Sequence, residues 1–375
     1  MIYLDNAATT FPKPDGVYKA LDKANRTAVN TGRGSYKIAR EKTAIIDETR
    51  ELLLKINKII DSNVVFTSSA TVACNAIIEG IDYSNGDNVY ISPFEHNSII
   101  RVLEDVKNKY KLNIHILPFD KNTWELDIKK MNNMFALNKP KAIFLSHVSN
   151  VTGYILPYND IFEAGKKYKS INVLDSSQGY GIVPINNVEL IDYIVFAGHK
   201  SLYASFGIAG FIEKNNLKLK KFIFGGTGSD TMNPNMPDSG YLAYEAGSPN
   251  IVAIEGLNAS IKWIENHNIY DEEQKYTKYL IDELKKIESL KVFLPKNENN
   301  IFGVVSFGVN GYTSDEVGKI MDDEFEICVR TGFHCAPLVH DFIGSLVYNG
   351  TVRCSLSYFT SREDIDNLLR ALKTL

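Results

Sequence analysis

From about residue 40 the sequence alternates segments of helical period with short apolar runs, and that alternation leaves few architectures open. In "EKTAIIDETRELLLKINKII", Ile45, Leu52, Ile56 and Ile59 recur at steps of seven, four and three, the spacing of one helix face. The runs "NVVFTSS", "DNVYIS", "KAIFLSHVS", "INVLDSS", "YIVFAGHK" and "GIAGFIE" are each short enough for a strand, and most end in small polar residues. The pattern predicts an α/β fold with a mostly parallel sheet covered by helices. Active sites of such sheets gather at the carboxyl ends of the strands. Residues 67–71, His96, Asn150, Asp175 with Gln178, and His199 with Lys200 are therefore the first candidates.

A chain of 375 residues suggests two domains. After about residue 258 the texture changes to a charged helix, "DEEQKYTKYLIDELKKIESL", followed by strand-like "VVSFGV", "ICVRTG" and "TVRCSLSYF", which reads as a smaller α+β domain. Thr313 with Glu316 and Thr360 with Glu363 have the spacing of capping boxes. The Gly/Pro/Asn-rich "GGTGSDTMNPNMPDSG" reads as an exposed excursion.

Composition narrows the function. With 41 Lys+Arg against 45 Asp+Glu there is no basic excess to hold nucleic acid or an anionic membrane. The start "MIYLDNAATTFPKP" lacks the basic and apolar segments of a secretory signal, and no apolar run reaches membrane-spanning length, so a cytoplasmic location is expected. Cys74, Cys328, Cys335 and Cys354 form no C-x-x-C pair and are expected to be free thiols. "HCAPLVH" brings His334, Cys335 and His340 close in sequence, but no second ligand cluster completes a zinc site, and no metal is expected.

Lys200 follows one apolar run and precedes another. A lysine there can lie along apolar surface with its ammonium in water, or it can be a reactive amine. Asp175 lies 25 residues earlier, at the end of the preceding run, where a helix cap is the simpler reading. Adjacent strands would present both groups to one crevice. A ligand with a cationic ring nitrogen and an aldehyde engages both, and pyridoxal 5'-phosphate is such a ligand. Its phosphate needs amide donors at a helix start, and "FTSSATVACNAIIEG" places Ala70 and Thr71 at such a turn, although the same letters make an ordinary cap. His96 can stack on a pyridine ring or serve as a structural hydrogen-bonder.

The ordered motifs "YLDNAATTFPKP", "SHVSNVTG", "LDSSQGYG", "AGHKSLYASFGIAGF", "EAGSPN", "RTGFHCAPL" and "GTVRCSLSYF" resemble those of the cysteine desulfurases, in the class V aminotransferase branch of fold type I pyridoxal-phosphate enzymes. The resemblance spans nearly the whole chain. It implies a large cofactor domain over residues 15–257 with a mostly parallel seven-stranded sheet. A smaller α+β domain, residues 1–14 with 258–375, would carry the cysteine loop.

By the same resemblance Lys200 is similar to the Schiff-base lysine, Asp175 to the partner of the pyridine nitrogen, and Gln178 to the residue on the ring hydroxyl. His96 resembles the stacking histidine that helps proton transfer, and Asn150 the residue near cofactor and substrate carboxylate. Ala70, Thr71 and His199 are implied at the phosphate. Thr227 would reach the phosphate of a neighbouring subunit, which implies a homodimer with shared active sites. Arg353 resembles the arginine that grips the substrate carboxylate through two parallel donors. Cys335 resembles the persulfide-forming cysteine, where the bland alternative is a buried small hydrophobe; its thiolate is expected to draw help from His334 or from the cofactor. The other three cysteines fall in apolar segments and read as structural.

The implied reaction turns L-cysteine into L-alanine and leaves a persulfide on Cys335, from which a thiol or a sulfur-acceptor protein takes the sulfur. Two positions depart from the family pattern. Ala197 stands where a hydroxyl usually precedes Gly-His-Lys, and Val72 replaces a commonly acidic residue. Competing readings are a selenocysteine lyase acting on L-selenocysteine, a related enzyme acting on another amino acid with Cys335 incidental, and a non-catalytic scaffold in a sulfur-transfer complex.

Overall fold

The computed structural model describes residues 1–31, 34–214, 218–228 and 232–375. In chain order a short strand β1 (Ile2–Tyr3) is followed by α1 (Asp15–Thr27), α2 (Lys37–Ile56), β2 (Asn63–Thr67), α3 (Ala70–Gly80), β3 (Asn88–Ile91), α4 (Asn97–Tyr110), β4 (Asn113–Ile116), α5 (Ile128–Leu137), β5 (Pro140–Ser146), α6 (Tyr158–Lys166), β6 (Ile171–Asp175), β7 (Tyr193–Ala197) and β8 (Ala209–Glu213). These strands after β1 form one seven-stranded sheet in the order β2-β8-β7-β6-β5-β3-β4, with β8 antiparallel to both its neighbours and the other pairings parallel.

All six apolar runs are strands of this sheet, because its faces are buried on both sides. In β7, Ile194 and Phe196 enter one core while Tyr193 and Val195 enter the other, so every position is apolar. The seventh strand, β4, is an edge strand with Asn113 and Ile116 exposed, and its "NIHI" carries no buried run to betray it.

The face of α2 differs from the expected one. Ala39, Lys42, Ile46, Thr49, Arg50, Leu52 and Leu53 carry the buried stripe; Ile45 and Ile56 are only part-buried, and Ile59 is buried beyond the helix end. The apolar letters on either side of the stripe are close enough in angle to mimic it.

The rest of the chain is α7 (Ile251–Ile264), α8 (Ile269–Leu284), β9 (Leu290–Val292), β10 (Val304–Val309), α9 (Ser314–Phe325), β11 (Ile327–Cys328), β12 (Arg330–Gly332), α10 (Pro337–Ile343), β13 (Thr351–Ser355) and α11 (Arg362–Leu372). Residue 258 falls inside α7, whose Leu257, Ile261 and Ile264 all join the large core. An antiparallel sheet β12-β13-β10-β9 packs with α8, α9 and α11 around a separate core that also receives Leu4, and β1 pairs with β11. Thr313 and Glu316 make the expected capping box. The second box is one residue later than expected: Ser361 and Asp364 form it, because the Thr360 hydroxyl accepts from the Ser357 amide in the preceding turn. Residues 232–235 of the excursion are exposed, while 229–231 lie outside the described residues. Among the described residues no helix is long and apolar enough to cross a membrane.

Candidate active site

The carboxyl ends of β3, β5, β6 and β7 and the start of α3 enclose a cavity of about 100 Å³ lined by Ala70, Thr71, His96, Asn150, Asp175, Gln178, His199 and Lys200, with Ala197 in its wall. Parallel strands put these loops on one edge of the sheet, which is why residues spread over 130 positions of chain converge.

One end of the cavity is built for an anion. Ser69 caps α3, its hydroxyl accepting from the Val72 amide at 3.3 Å, and helix geometry leaves the Ala70 and Thr71 amides without an intrahelical acceptor. Beside it His199 stacks on Phe206 with ring centroids 4.6 Å apart, and its buried Nδ1 has no hydrogen-bond partner among the described residues. Burial holds the His199 imidazole down to about 4, with Lys200 and Lys13 adding to the effect, so the ring is neutral. An orphaned polar atom next to free helix amides calls for an external acceptor or donor.

At the other end Asp175 closes β6, nearly buried, with Oδ1 accepting from the Ser177 amide at 3.0 Å. Burial pushes the half-buried Lys200 amine below the ordinary lysine range, and the Asp175 carboxylate opposes that shift. His96 caps α4: its Nδ1 accepts from the Ser98 amide at 3.0 Å, which puts the proton of the neutral ring on Nε2. Burial lowers it to about 4, followed by the Lys200 charge. Gln178 Nε2 donates to the Ala7 carbonyl at 2.9 Å, bringing the N-terminal segment over the cavity.

Asn150 is the junction of the site. Its Nδ2 donates to the His334 carbonyl at 2.8 Å, and its own carbonyl accepts from Arg353 Nη1 at 2.9 Å. The cysteine loop and the buried Arg353 thus meet one residue of the cavity wall. Cys335 is an exposed free thiol whose carbonyl accepts from the Asn97 amide, next to His96, at 2.7 Å. The expected help from His334 is not what the geometry provides. Its ring is buried, Nε2 lies 2.8 Å from Thr351 Oγ1, and burial holds it down to about 2, so it anchors the loop as a neutral group. Cys74 and Cys354 are buried and Cys328 is part-buried. Among the described residues no cluster of three His, Cys, Asp or Glu side chains is placed to hold a metal ion.

Thr227 lies outside this cavity. It lines a separate, broad groove of about 1140 Å³ with Thr67, Ser68 and Val72.

The N-terminal segment folds back onto the backbone of the Lys200 loop, contacts that its letters do not encode. Thr9 Oγ1, the Thr10 amide and Lys13 Nζ each donate to the His199 carbonyl at 3.0 Å, and Thr10 Oγ1 reaches the Lys200 carbonyl at 3.2 Å. Burial pushes Lys13 down to about 7. Glu95, beside His96, is fully buried; burial raises its carboxyl to about 7, and it accepts from the Ser146 amide at 3.0 Å. Asp5 lies within "YLDNAATTFPKP" and Glu95 directly precedes His96, but position in the sequence says nothing about which backbone atoms a side chain will meet.

The sequence profile described as "Aminotransferase class-V" matches residues 2–368. The "Probable cysteine desulfurase" of Pyrococcus abyssi is 29% identical over 391 aligned positions, covering 100% of this chain and 94% of that protein. A cysteine desulfurase of Escherichia coli is 27% identical over 394 positions, covering 100% and 93%. Among solved structures, the apo cysteine desulfurase of Thermococcus onnurineus superposes with a TM-score of 0.91 at 27% identity, covering 100% of this chain and 94% of that one.

Proposed function

This chain belongs to the class-V aminotransferase family, and we propose that within it the protein is a pyridoxal-phosphate-dependent cysteine desulfurase. The observation that carries the reading is the junction at Asn150, which joins the cavity holding Lys200 and Asp175 to the exposed Cys335 and the buried Arg353.

The residues present fit the cofactor. The orphaned His199 Nδ1 and the Ala70 and Thr71 turn suit its phosphate, Asp175 its pyridine nitrogen, Gln178 its ring hydroxyl, His96 its ring face and Lys200 its aldehyde. When bound, pyridoxal phosphate supplies an electron sink for the substrate carbon.

The chain's own groups do the rest. Arg353 and Asn150 orient the substrate carboxylate. Burial keeps the Lys200 amine easy to deprotonate, so it takes the proton from the substrate α-carbon and returns one to the product. The Cys335 thiolate forms a bond to the substrate sulfur as the carbon–sulfur bond breaks. In sum, L-cysteine and the Cys335 thiol become L-alanine and a Cys335 persulfide, with no external oxidant or reductant. A thiol or an acceptor protein then removes the outer sulfur. We further propose a homodimer in which Thr227 of one subunit reaches the phosphate held by the other, and a cytoplasmic location.

The test is L-alanine formed from L-cysteine, with a thiol reductant, by the cofactor-loaded protein and its Cys335→Ser variant. Alanine from the first and not the second is the expected result. Alanine from both removes Cys335 from the mechanism, and a strong preference for L-selenocysteine over L-cysteine would move the assignment to a selenocysteine lyase.

A further inference from the structure

Three successive carbonyls of the cysteine loop are held from three different elements. His340 Nε2, on α10, lies 3.0 Å from the Phe333 carbonyl; Asn150 Nδ2 donates to the His334 carbonyl at 2.8 Å; the Asn97 amide, at the start of α4, donates to the Cys335 carbonyl at 2.7 Å. The loop needs such restraint. His334 and Cys335 are consecutive non-glycine residues at φ +46° and +55°, a left-handed conformation that L-residues leave when nothing holds them.

Two of the three donors belong to elements already placed around the cavity. His340 does not. It is fully buried, and a carbonyl can only accept, so Nε2 carries the ring proton and Nδ1 is left as an acceptor for the Ser345 hydroxyl at 2.7 Å. The chain Ser345, His340, Phe333 carbonyl fixes one tautomer and one ring orientation. The same Phe333 carbonyl also accepts from the Ala336 amide at 3.0 Å, closing the turn around Cys335.

We propose that His340 is a positioning residue for the sulfur-accepting thiol: by holding the Phe333 carbonyl it keeps His334 and Cys335 in the left-handed turn that docks Cys335 against the Asn150 and His96 wall of the Lys200 cavity. The inference rests on Cys335 being the thiol that receives sulfur. His340 does not touch the substrate; it sets where the attacking thiol stands.

The experiment uses the cofactor-loaded enzyme and its His340→Ala, His340→Gln, Ser345→Ala and Cys335→Ser variants. For His340→Ala, kcat for alanine formation is expected to fall on the order of 10- to 100-fold with little change in KM, the cost of a misplaced nucleophile. The visible spectrum of the bound cofactor and its response to L-cysteine should persist. Hydrogen exchange should accelerate at Ala336 and also at Asn97, whose amide is protected only while Cys335 is docked on it. His340→Gln, which can place an amide N–H near the same carbonyl, should restore most of both readouts. Should His340→Ala fold poorly, Ser345→Ala, which frees the tautomer without removing the ring, should show the same two changes in smaller size. Unchanged kcat and unchanged exchange at Asn97, with Cys335→Ser inactive, would overturn the positioning role alone. Alanine formation by Cys335→Ser would instead overturn the assignment of the thiol.

Discussion

Arg353 Nη2 donates to Asp5 Oδ1 at 2.8 Å, joining residues 348 positions apart in the chain. The guanidinium is almost fully buried on β13, and Arg330, its cross-strand neighbour, reaches the other Asp5 oxygen at 3.3 Å. Asp5 therefore offsets the buried cation that is proposed to meet the substrate carboxylate.

Asp5→Ala leaves that cation without its carboxylate, and urea denaturation at neutral pH should show a loss of roughly 3 kcal/mol. Asp5→Asn, which keeps an acceptor oxygen, should lose less. Equal stability for all three proteins would mean that Arg353 needs no counter-charge.

Asp175→Asn preserves the acceptor that the Ser177 amide uses but removes the negative charge at the end of β6. With that charge gone the cofactor ring is a poorer electron sink, and alanine formation should fall by about 100-fold or more. The measurement is the steady-state rate at saturating cofactor, with circular dichroism to confirm an intact fold.

Ala197 lines the cavity two residues before His199. Ala197→Ser should tighten pyridoxal-phosphate binding by up to about fivefold, the value of one added hydrogen bond near 1 kcal/mol. Titration of the cofactor-free protein reads this directly, and unchanged affinity would place the hydroxyl out of reach.

Burial pushes the Glu273 carboxyl up to about 8, with the Tyr203 hydroxyl, 2.6 Å from Oε1, opposing the shift. In the unfolded chain the same group loses its proton near about 4.3, so between that pH and about 8 the folded state holds more protons. Stability is then full below the lower value and falls, by an order of a few kcal/mol, as pH rises to the upper one. Glu273→Gln should abolish that slope. Its melting temperature should exceed that of the natural protein at pH 8 by more than at pH 5.

Much of the fold was legible because its signals are local. Six strands announced themselves as apolar runs, since a sheet buried on both faces tolerates little else, while β4 at the edge did not. The stripe of α2 was misplaced because Ile45 and Ile56 sit at the margin of the true face, where a few tens of degrees separate buried from half-exposed. The cap at Ser361 was missed by one residue because two adjacent hydroxyls offer the same letters, and only the turn at Ser357 decides which is free.

For the site, the sequence by itself determined which side chains stand at the strand ends, because a strand's end and the polar residue after it are set within a few positions. The cavity lined by Thr71, His96, Asn150, Asp175, Gln178, His199 and Lys200 follows from that placement once the strands run parallel. Only the tertiary structure decided that Asn150 joins the cavity to the cysteine loop, that His334 turns inward to Thr351, that Asp5 lies on Arg353, and that Thr9, Thr10 and Lys13 converge on the His199 carbonyl. These contacts join segments far apart in the chain through particular backbone atoms. They depend on sheet register and on how the β12-β13-β10-β9 sheet and its helices pack against the seven-stranded one, which no periodicity within a short stretch of sequence encodes.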